Sequence, residues 1–250
     1  VTLVENSALR CVFQVERQVS HSRFVQQIIL YTHSRRIDFD TWVDWQEEHL
    51  LLKAAFPVDI CTDHAQYDIQ FGSITRSTHE NTSWDAARFE VCAHKWADLS
   101  EPDYGVALLN DGRYGYDVHD GVLRLSLLRA PTDPDPRADR GEHHFTYALL
   151  PHTGDWRAGG VIPQGYDLNA PACAVTVAPQ PQGSLSAVYS SFAVDQPNVI
   201  LETVKQAEDG RGLILRLYEA WGMRTRTRLV LPDGATAYAC TPLEQPLDEG

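Results

Sequence analysis

Apolar and polar residues alternate with a period of two over almost the whole chain, and strand patterns are not interleaved with helical ones. In "RRIDFDTWVDWQ", Ile37, Phe39, Thr41, Val43 and Trp45 fall on one face. Arg36, Asp38, Asp40, Trp42 and Asp44 fall on the other. "VLRLSLL" repeats the pattern, with Leu123, Leu125 and Leu127 inward and Arg124 and Ser126 outward. Successive side chains of an extended strand point to opposite faces, so this is the spacing of half-buried β-strands. "LRCVFQVERQV", "RFVQQIILYT", "QYDIQFGSI", "HHFTYALL", "CAVTVAP", "AVYSSFAV", "NVILETVKQ", "GLILRLYEA" and "TRTRLVL" are further strand candidates. Gly-Ser at 72–73, Asp-Gly at 111–112, 120–121 and 209–210, and Pro-Asp-Gly at 232–234 mark turns between strands. Many antiparallel strands without alternating helices predict an all-β sandwich.

"ALLNDGRYGYDVHDG" (107–121) reads as strand, Asn-Asp-Gly-Arg hairpin corner, strand, Asp-Gly turn, strand. Two stretches break the pattern. "APTDPDPRADRGE" (130–142) is a surface loop by its Pro and Asp content. "HTGDWRAGGVIPQGYDLNAP" (152–171) reads as one or two irregular helical turns, with Pro163 preventing a long helix. "APQPQG" (178–183) is the candidate boundary between a large sandwich domain at 1–178 and a smaller β module at 184–250 that stops short of a closing strand.

At 250 residues the chain can bury a sizeable core. Its net charge of −13, with no basic stripe, argues against a nucleic-acid partner. No apolar run is long enough to span a bilayer and no signal-peptide pattern opens the chain, so no membrane partner is expected. The chain opens mid-pattern and without Met, as a piece of something longer would. Cys11, Cys61, Cys92, Cys173 and Cys240 are odd in number, far apart and never C-x-x-C. Reduced, mostly buried thiols in a cytoplasmic protein are the expectation.

A self-contained hydrolase needs a nucleophile–base pair, two facing carboxylates or a metal site. The sequence holds no G-x-S-x-G, H-E-x-x-H, P-loop or G-x-G-x-x-G. In "GEHHF" (141–145), His143 and His144 are adjacent on a strand and cannot share one metal. One is expected packed and one exposed. His64, His79, His94, His119 and His152 read as polar surface or satisfied core positions. "RLYE" (216–219) reads as an internal ion pair or a strand ladder. "HENTSWDAARFEVCAHKWADLSEPDYG" (79–105) is denser in chemistry. Aromatic faces with carboxylates and amides suit a carbohydrate surface, which makes Trp84, Asp85 and Arg88 candidate sugar or interface contacts. The rival reading is a long loop pinned to a sheet by buried Trp84 and Trp96.

Five stretches carry a likeness: "LLKAAFPVDI" (51–60), "YDIQFGSITRSTHENTSWDAARFEVCAHKWADLSEPDYGVALLNDGRYGYDVH" (67–119), "LRLSLLRAPTDPDP" (123–136), "GEHHFTYALLPHTGDW" (141–156) and "LILRLYEAWG" (213–222). Together they resemble the C-terminal region of the α-mannosidases of glycoside hydrolase family 38, in the cytosolic, vacuolar and bacterial branch. The resemblance implies an antiparallel supersandwich of the galactose-mutarotase type followed by a smaller β module. It implies a parent enzyme that retains anomeric configuration through a carboxylate nucleophile and a second carboxylate acid/base. A zinc ion would bind sugar hydroxyls. In the family those groups all lie upstream of the matched region, so no catalytic residue and no metal ligand is assigned to this chain.

The family's sandwich sends a hairpin toward the substrate cleft, and the matching place here is "NDGRYGY". The resemblance thus makes Asn110, Asp111, Arg113 and Tyr114 cleft-lining or interface candidates. The expected partners are a mannose-containing oligosaccharide and the N-terminal catalytic domain of the same protein. A homo-oligomer is left open, because surface meant for missing domains would be exposed. Three functions compete. One is the supporting β region of an α-mannosidase, inactive alone. The second is a stand-alone carbohydrate-binding or structural sandwich. The third is a mutarotase-like epimerase using the His/Glu pair of "GEHHF".

Overall fold

A computed structural model describes residues 1–178 and 182–247. The chain forms two compact units, Val1–Cys173 and Ala174–Gly250. The 178–183 stretch is in part outside the described residues.

The first unit is built almost wholly from strands. In chain order they are β1 (Thr2–Asn6), β2 (Arg10–Val19), β3 (Ser22–Tyr31), β4 (Ile37–Trp45), β5 (Leu52–Pro57), β6 (His64–Ile69), β7 (Gly72–Ser77), the single-turn α1 (Ser83–Ala86), β8 (Val91–Cys92), β9 (Trp96–Ser100), β10 (Tyr104–Asn110), β11 (Gly115–His119), β12 (Val122–Leu128), β13 (Gly141–Thr153) and α2 (Val161–Asn169). Nine of them form one antiparallel sheet in the order β1-β2-β3-β4-β13-β10-β9-β6-β7. Four form a second, β5-β12-β11-β8. This is the expected all-β, two-sheet architecture.

Alternation decides the core. Val43 and Trp45 on β4, Phe145 and Tyr147 on β13, and Val106 and Leu108 on β10 point to the second sheet. Leu123, Leu125 and Leu127 on β12 and Tyr116 and Val118 on β11 meet them. Burying each such aliphatic side chain contributes roughly 1.5–3 kcal/mol. Phe39, Phe56 and Tyr147 pack ring on ring, Phe39 and Tyr147 stacked at 5.0 Å.

β10 differs from the alternating strands, because every residue from Gly105 to Asn110 is buried. Its other face, Ala107 and Leu109, lies on the side covered by α2, which buries Val161 and Ile162. Trp96 stacks on Trp156 at 5.4 Å on the adjoining β9. A strand covered on both faces reads as a continuous apolar run, which explains "GVALL". Pro163 sits in the first turn of α2, where no intrahelical N–H bond is lost. The helix therefore runs nine residues, longer than the expected irregular turns.

Several further expectations are corrected. The Asn-Asp-Gly-Arg corner is not a hairpin turn: β10 belongs to the nine-stranded sheet and β11 to the four-stranded one, so the corner carries the chain between sheets. The hairpin is the next turn. His119 pairs with Val122, and Asp120 and Gly121 between them have φ of 53° and 69°. Both positive angles match the primed two-residue turn that suits strand twist. The 79–105 stretch is not one loop, since β8 and β9 lie within it. Its two tryptophans part company, with Trp96 buried and Trp84 78% exposed on α1. None of the five cysteines is buried; Cys61, Cys92 and Cys173 are exposed, Cys11 and Cys240 half-buried, and all are free.

In the second unit β15 (Val199–Gln206) and β16 (Leu213–Glu219) pair as an antiparallel hairpin, and β14 (Ala193–Val194) pairs with β17 (Leu229–Val230). The described part of "CAVTVAP" is irregular, and "AVYSSFAV" and "TRTRLVL" shrink to two-residue strands. These segments expose Val175, Val177, Val188 and Tyr189, so no buried face holds them extended.

Candidate functional site: the corner between the sheets

The corner is held from four directions. The Asn110 amide is fully buried. Its Nδ2 donates to the His94 carbonyl at 2.7 Å and to the Tyr116 hydroxyl at 2.6 Å. Its Oδ1 accepts the N–H groups of Gly112 at 2.7 Å and Arg113 at 2.6 Å. An Asn whose side chain bonds its own backbone two and three residues on is a turn builder. The Tyr116 hydroxyl in turn donates to the Leu108 carbonyl at 3.2 Å. Burial pushes the Tyr116 phenol far above its ordinary pKa, with Asn110 pulling weakly the other way, so it stays a neutral hydroxyl. From β13, the Thr146 N–H donates to Asp111 Oδ2 at 2.8 Å and the Thr146 carbonyl accepts the Asp111 N–H at 3.1 Å. From α2, Asn169 Nδ2 donates to the Asn110 carbonyl at 2.9 Å. From the segment before β9, the Lys95 carbonyl accepts the Asn110 N–H and the Tyr114 carbonyl accepts the Ala93 N–H, each at 3.0 Å.

What this frame presents outward is small. Asp111 and Tyr114 are exposed and Arg113 is half-buried. The Arg113 guanidinium lies over the Phe145 ring, 4.6 Å from its centroid. Its Nε is buried with no hydrogen-bond partner. The Tyr114 ring meets His94 edge-on at 6.0 Å. Behind it, Asp68 is buried, which pushes its carboxyl above the ordinary range despite the Lys95 backbone N–H at 2.9 Å and the Lys95 ammonium at 3.7 Å. Lys95 also reaches over the Tyr166 ring at 4.6 Å. The corner thus gathers an arginine, a tyrosine, a histidine and a lysine, a set suited to binding and lacking a nucleophile–base pair.

The other candidates lie apart in role. Trp84 offers a free aromatic face. Thr82 caps α1 by accepting the Asp85 N–H, and the Asp85 carboxylate accepts from the Thr82 hydroxyl and from Ser77 on β7. The Thr82 and Ser77 hydroxyls hold its carboxyl below the usual range. Arg88 is exposed. In "GEHHF" the half-buried His143 meets the Asp139 carbonyl at 2.7 Å and the exposed His144 meets Asp40 at 2.5 Å. Among the described residues no group of three His, Cys, Asp or Glu could hold a metal ion. Sequence reasoning missed Asn169 and Thr146, which have no motif, and the pairing of His152 with Asp98, both buried and 2.7 Å apart.

Comparison with known proteins agrees with this architecture. Residues 1–137 match the glycosyl hydrolases family 38 C-terminal domain, and residues 198–249 match the glycosyl hydrolases family 38 C-terminal beta sandwich domain. The human protein named alpha-mannosidase 2C1 is 48% identical over 231 residues, which cover 90% of this chain and 22% of that protein. Alpha-mannosidase G of Dictyostelium discoideum is 44% identical over 239 residues, covering 92% and 22%. The chain spans about a fifth of the length of these relatives. A solved structure of an alpha-mannosidase from Enterococcus faecalis superposes with a TM-score of 0.82 at 20% identity, covering 98% of this chain and 32% of that one. That likeness concerns the fold. The two matched regions and the identity to these relatives show that the chain belongs to glycosyl hydrolase family 38, whose C-terminal β region it is.

Proposed function

We propose that this chain is the C-terminal β region of a zinc-dependent, retaining α-mannosidase, and that the corner at 110–114 forms part of the wall of the parent's substrate cleft. The observation that carries the activity is the 48% identity to human alpha-mannosidase 2C1 across 90% of the chain. The nucleophile, the acid/base and the zinc site belong, in this reading, to a catalytic domain supplied by the longer protein. Arg113 and Tyr114 are the side chains offered to a sugar hydroxyl or to that domain. Asp111 and the buried Asn110 fix their position. The five free cysteines support a cytoplasmic setting.

The test is an assay with an activated aryl α-mannoside and zinc. The longer protein should turn it over and lose the rate to a chelator, and the 250-residue chain alone should not. A robust, chelator-sensitive rate from the chain alone overturns the reading. The exposed Trp84 favours a second reading, a carbohydrate-binding module. Saturable binding of mannobiose, lost in Trp84→Ala or Tyr114→Ala, would select it.

A further inference from the structure

At the opposite end of β10 from the corner lies a cleft of about 370 Å³. Seven strand residues separate the two ends, about 20 Å. The cleft's walls come from the start of β6 (His64, Gln66), the edge strand β7 (Thr75), β9 (Asp98, Ser100), the β9–β10 connection (Glu101) and the loop after β13 (Asp155–Arg157).

Most titratable groups in this cleft already have partners within the protein before any ligand arrives. Asp98, 1% exposed, faces His152 Nε2 at 2.7 Å and accepts from Ser100. His152 Nδ1 faces the Gly154 carbonyl at 3.1 Å, so both ring nitrogens have acceptors. Asp155 pairs with Arg157 at 2.8 Å and accepts the N–H groups of Arg157 and Ala158. His64 sits 2.6 Å from Asp63. Glu101 is the exception: its Oε1 accepts the Cys61 N–H at 2.6 Å, which leaves Oε2 for a donor. Gln66 and Thr75 form a ladder of amide and hydroxyl along the edge, joined at 2.7 Å. Pro102 supplies apolar surface, and the buried Trp156 backs the cleft with Arg157 laid over its ring at 4.3 Å. Arg157, the cleft's one guanidinium, is held by Asp155, so no cation is left open to an anionic ligand. Carboxylate, amide and hydroxyl groups beside apolar surface complement vicinal hydroxyls on a ring.

We propose that this cleft binds an uncharged, hydroxyl-rich ligand of about one pyranose ring, with Glu101 accepting from its hydroxyls. The ligand class follows from the cleft's own groups and does not depend on the mannosidase reading. The 15N-labelled chain is titrated with methyl α-D-mannopyranoside, and in parallel with spermidine and inorganic phosphate. Saturable shifts are expected with the mannoside at the amides of Thr62–Gln66, Ser100–Glu101 and Arg157. Thr75→Trp, which fills the cleft from an exposed edge strand, and Glu101→Gln, which keeps the Cys61 contact, should each weaken binding about tenfold or more. Absence of saturable shifts at these amides, a stronger response there to spermidine or phosphate, or indifference to both substitutions overturns the proposal. Shifts confined to 110–114 would do the same while supporting the corner reading, so the two fail separately.

Discussion

The central carbon of the Arg113 guanidinium lies over Phe145, 4.6 Å from the ring centroid. Phe145 is itself packed into the inter-sheet core. Arg113 is therefore pre-positioned by the core, through a cation–π contact worth about 0.5–1 kcal/mol at a partly exposed site. In the longer protein, Arg113→Ala should lower kcat/KM for an aryl α-mannoside by about tenfold or more while shifting stability by no more than about 1 kcal/mol. Unchanged kinetics would make the corner a purely structural turn.

Asn110 should behave oppositely. Its amide makes four hydrogen bonds inside a closed frame. Asn110→Ala leaves the His94 carbonyl and the Gly112 and Arg113 N–H groups without their partner, at a cost of about 2–4 kcal/mol. Urea unfolding of the chain measures this, and a loss under about 1 kcal/mol would show that the corner is held by its backbone bonds alone.

The buried Asp98–His152 pair gives a third test. Burial pushes the Asp98 carboxyl upward in pKa, and the facing imidazole opposes that. Removing one partner of a buried pair typically costs about 3–5 kcal/mol, more than the pair itself stabilises. His152→Ala should destabilise the chain by that amount, and Asp98→Asn in the same background should recover part of it. Additive losses in the thermal melts of the two single variants and the double variant would refute the coupling.

Gly121 tests the hairpin. Its φ is 69°, and a Cβ there would meet the Val58 carbonyl oxygen at 3.1 Å. Gly121→Ala should cost about 1–2 kcal/mol from the left-handed conformation, whereas Gly72→Ala, with open space around it, should be nearly silent. Equal effects would contradict the assigned turn.

The second unit carries a pH dependence. Glu219 is pushed up by partial burial, but the N–H groups of Trp221 and Met223 and the Asn198 amide outweigh this and hold its carboxyl below the ordinary range. A depressed carboxylate stabilises the fold above its unfolded-state pKa and loses that contribution as pH falls through the folded value. Trp221 fluorescence should therefore report loosening of this loop on acidification, and Glu219→Gln should flatten the profile. A wild-type profile unaltered by the substitution would remove Glu219 from the account.

How much of this was legible in the sequence follows from the range of the forces. Alternation in β4 and β12 exposed the core faces, because one face of each is buried and the other is not. The turn at 120–121 was legible from Asp-Gly. The corner at 110–113 carried the same local signal, yet its strands part into different sheets: β10 takes the distant β13 as its partner, while β11 turns back on its chain neighbour β12. Likewise β9, hidden in a polar stretch, is a strand because β10 and β6 flank it. Arg113 and Tyr114 became candidates only through family likeness. Asn169 and the Asp98–His152 pair did not, since each depends on a neighbour 54 or more residues away.

The two strands that feed the corner are stitched into separate sheets, with Asn110 and Tyr116 tying one to the other. Such a tip cannot swing as a flap, because lifting it would break register on both sides at once. A cleft bordered by it has one fixed wall. Any closure over a bound sugar would then fall to the opposing wall, and the corner would serve as the ruler against which that movement is measured.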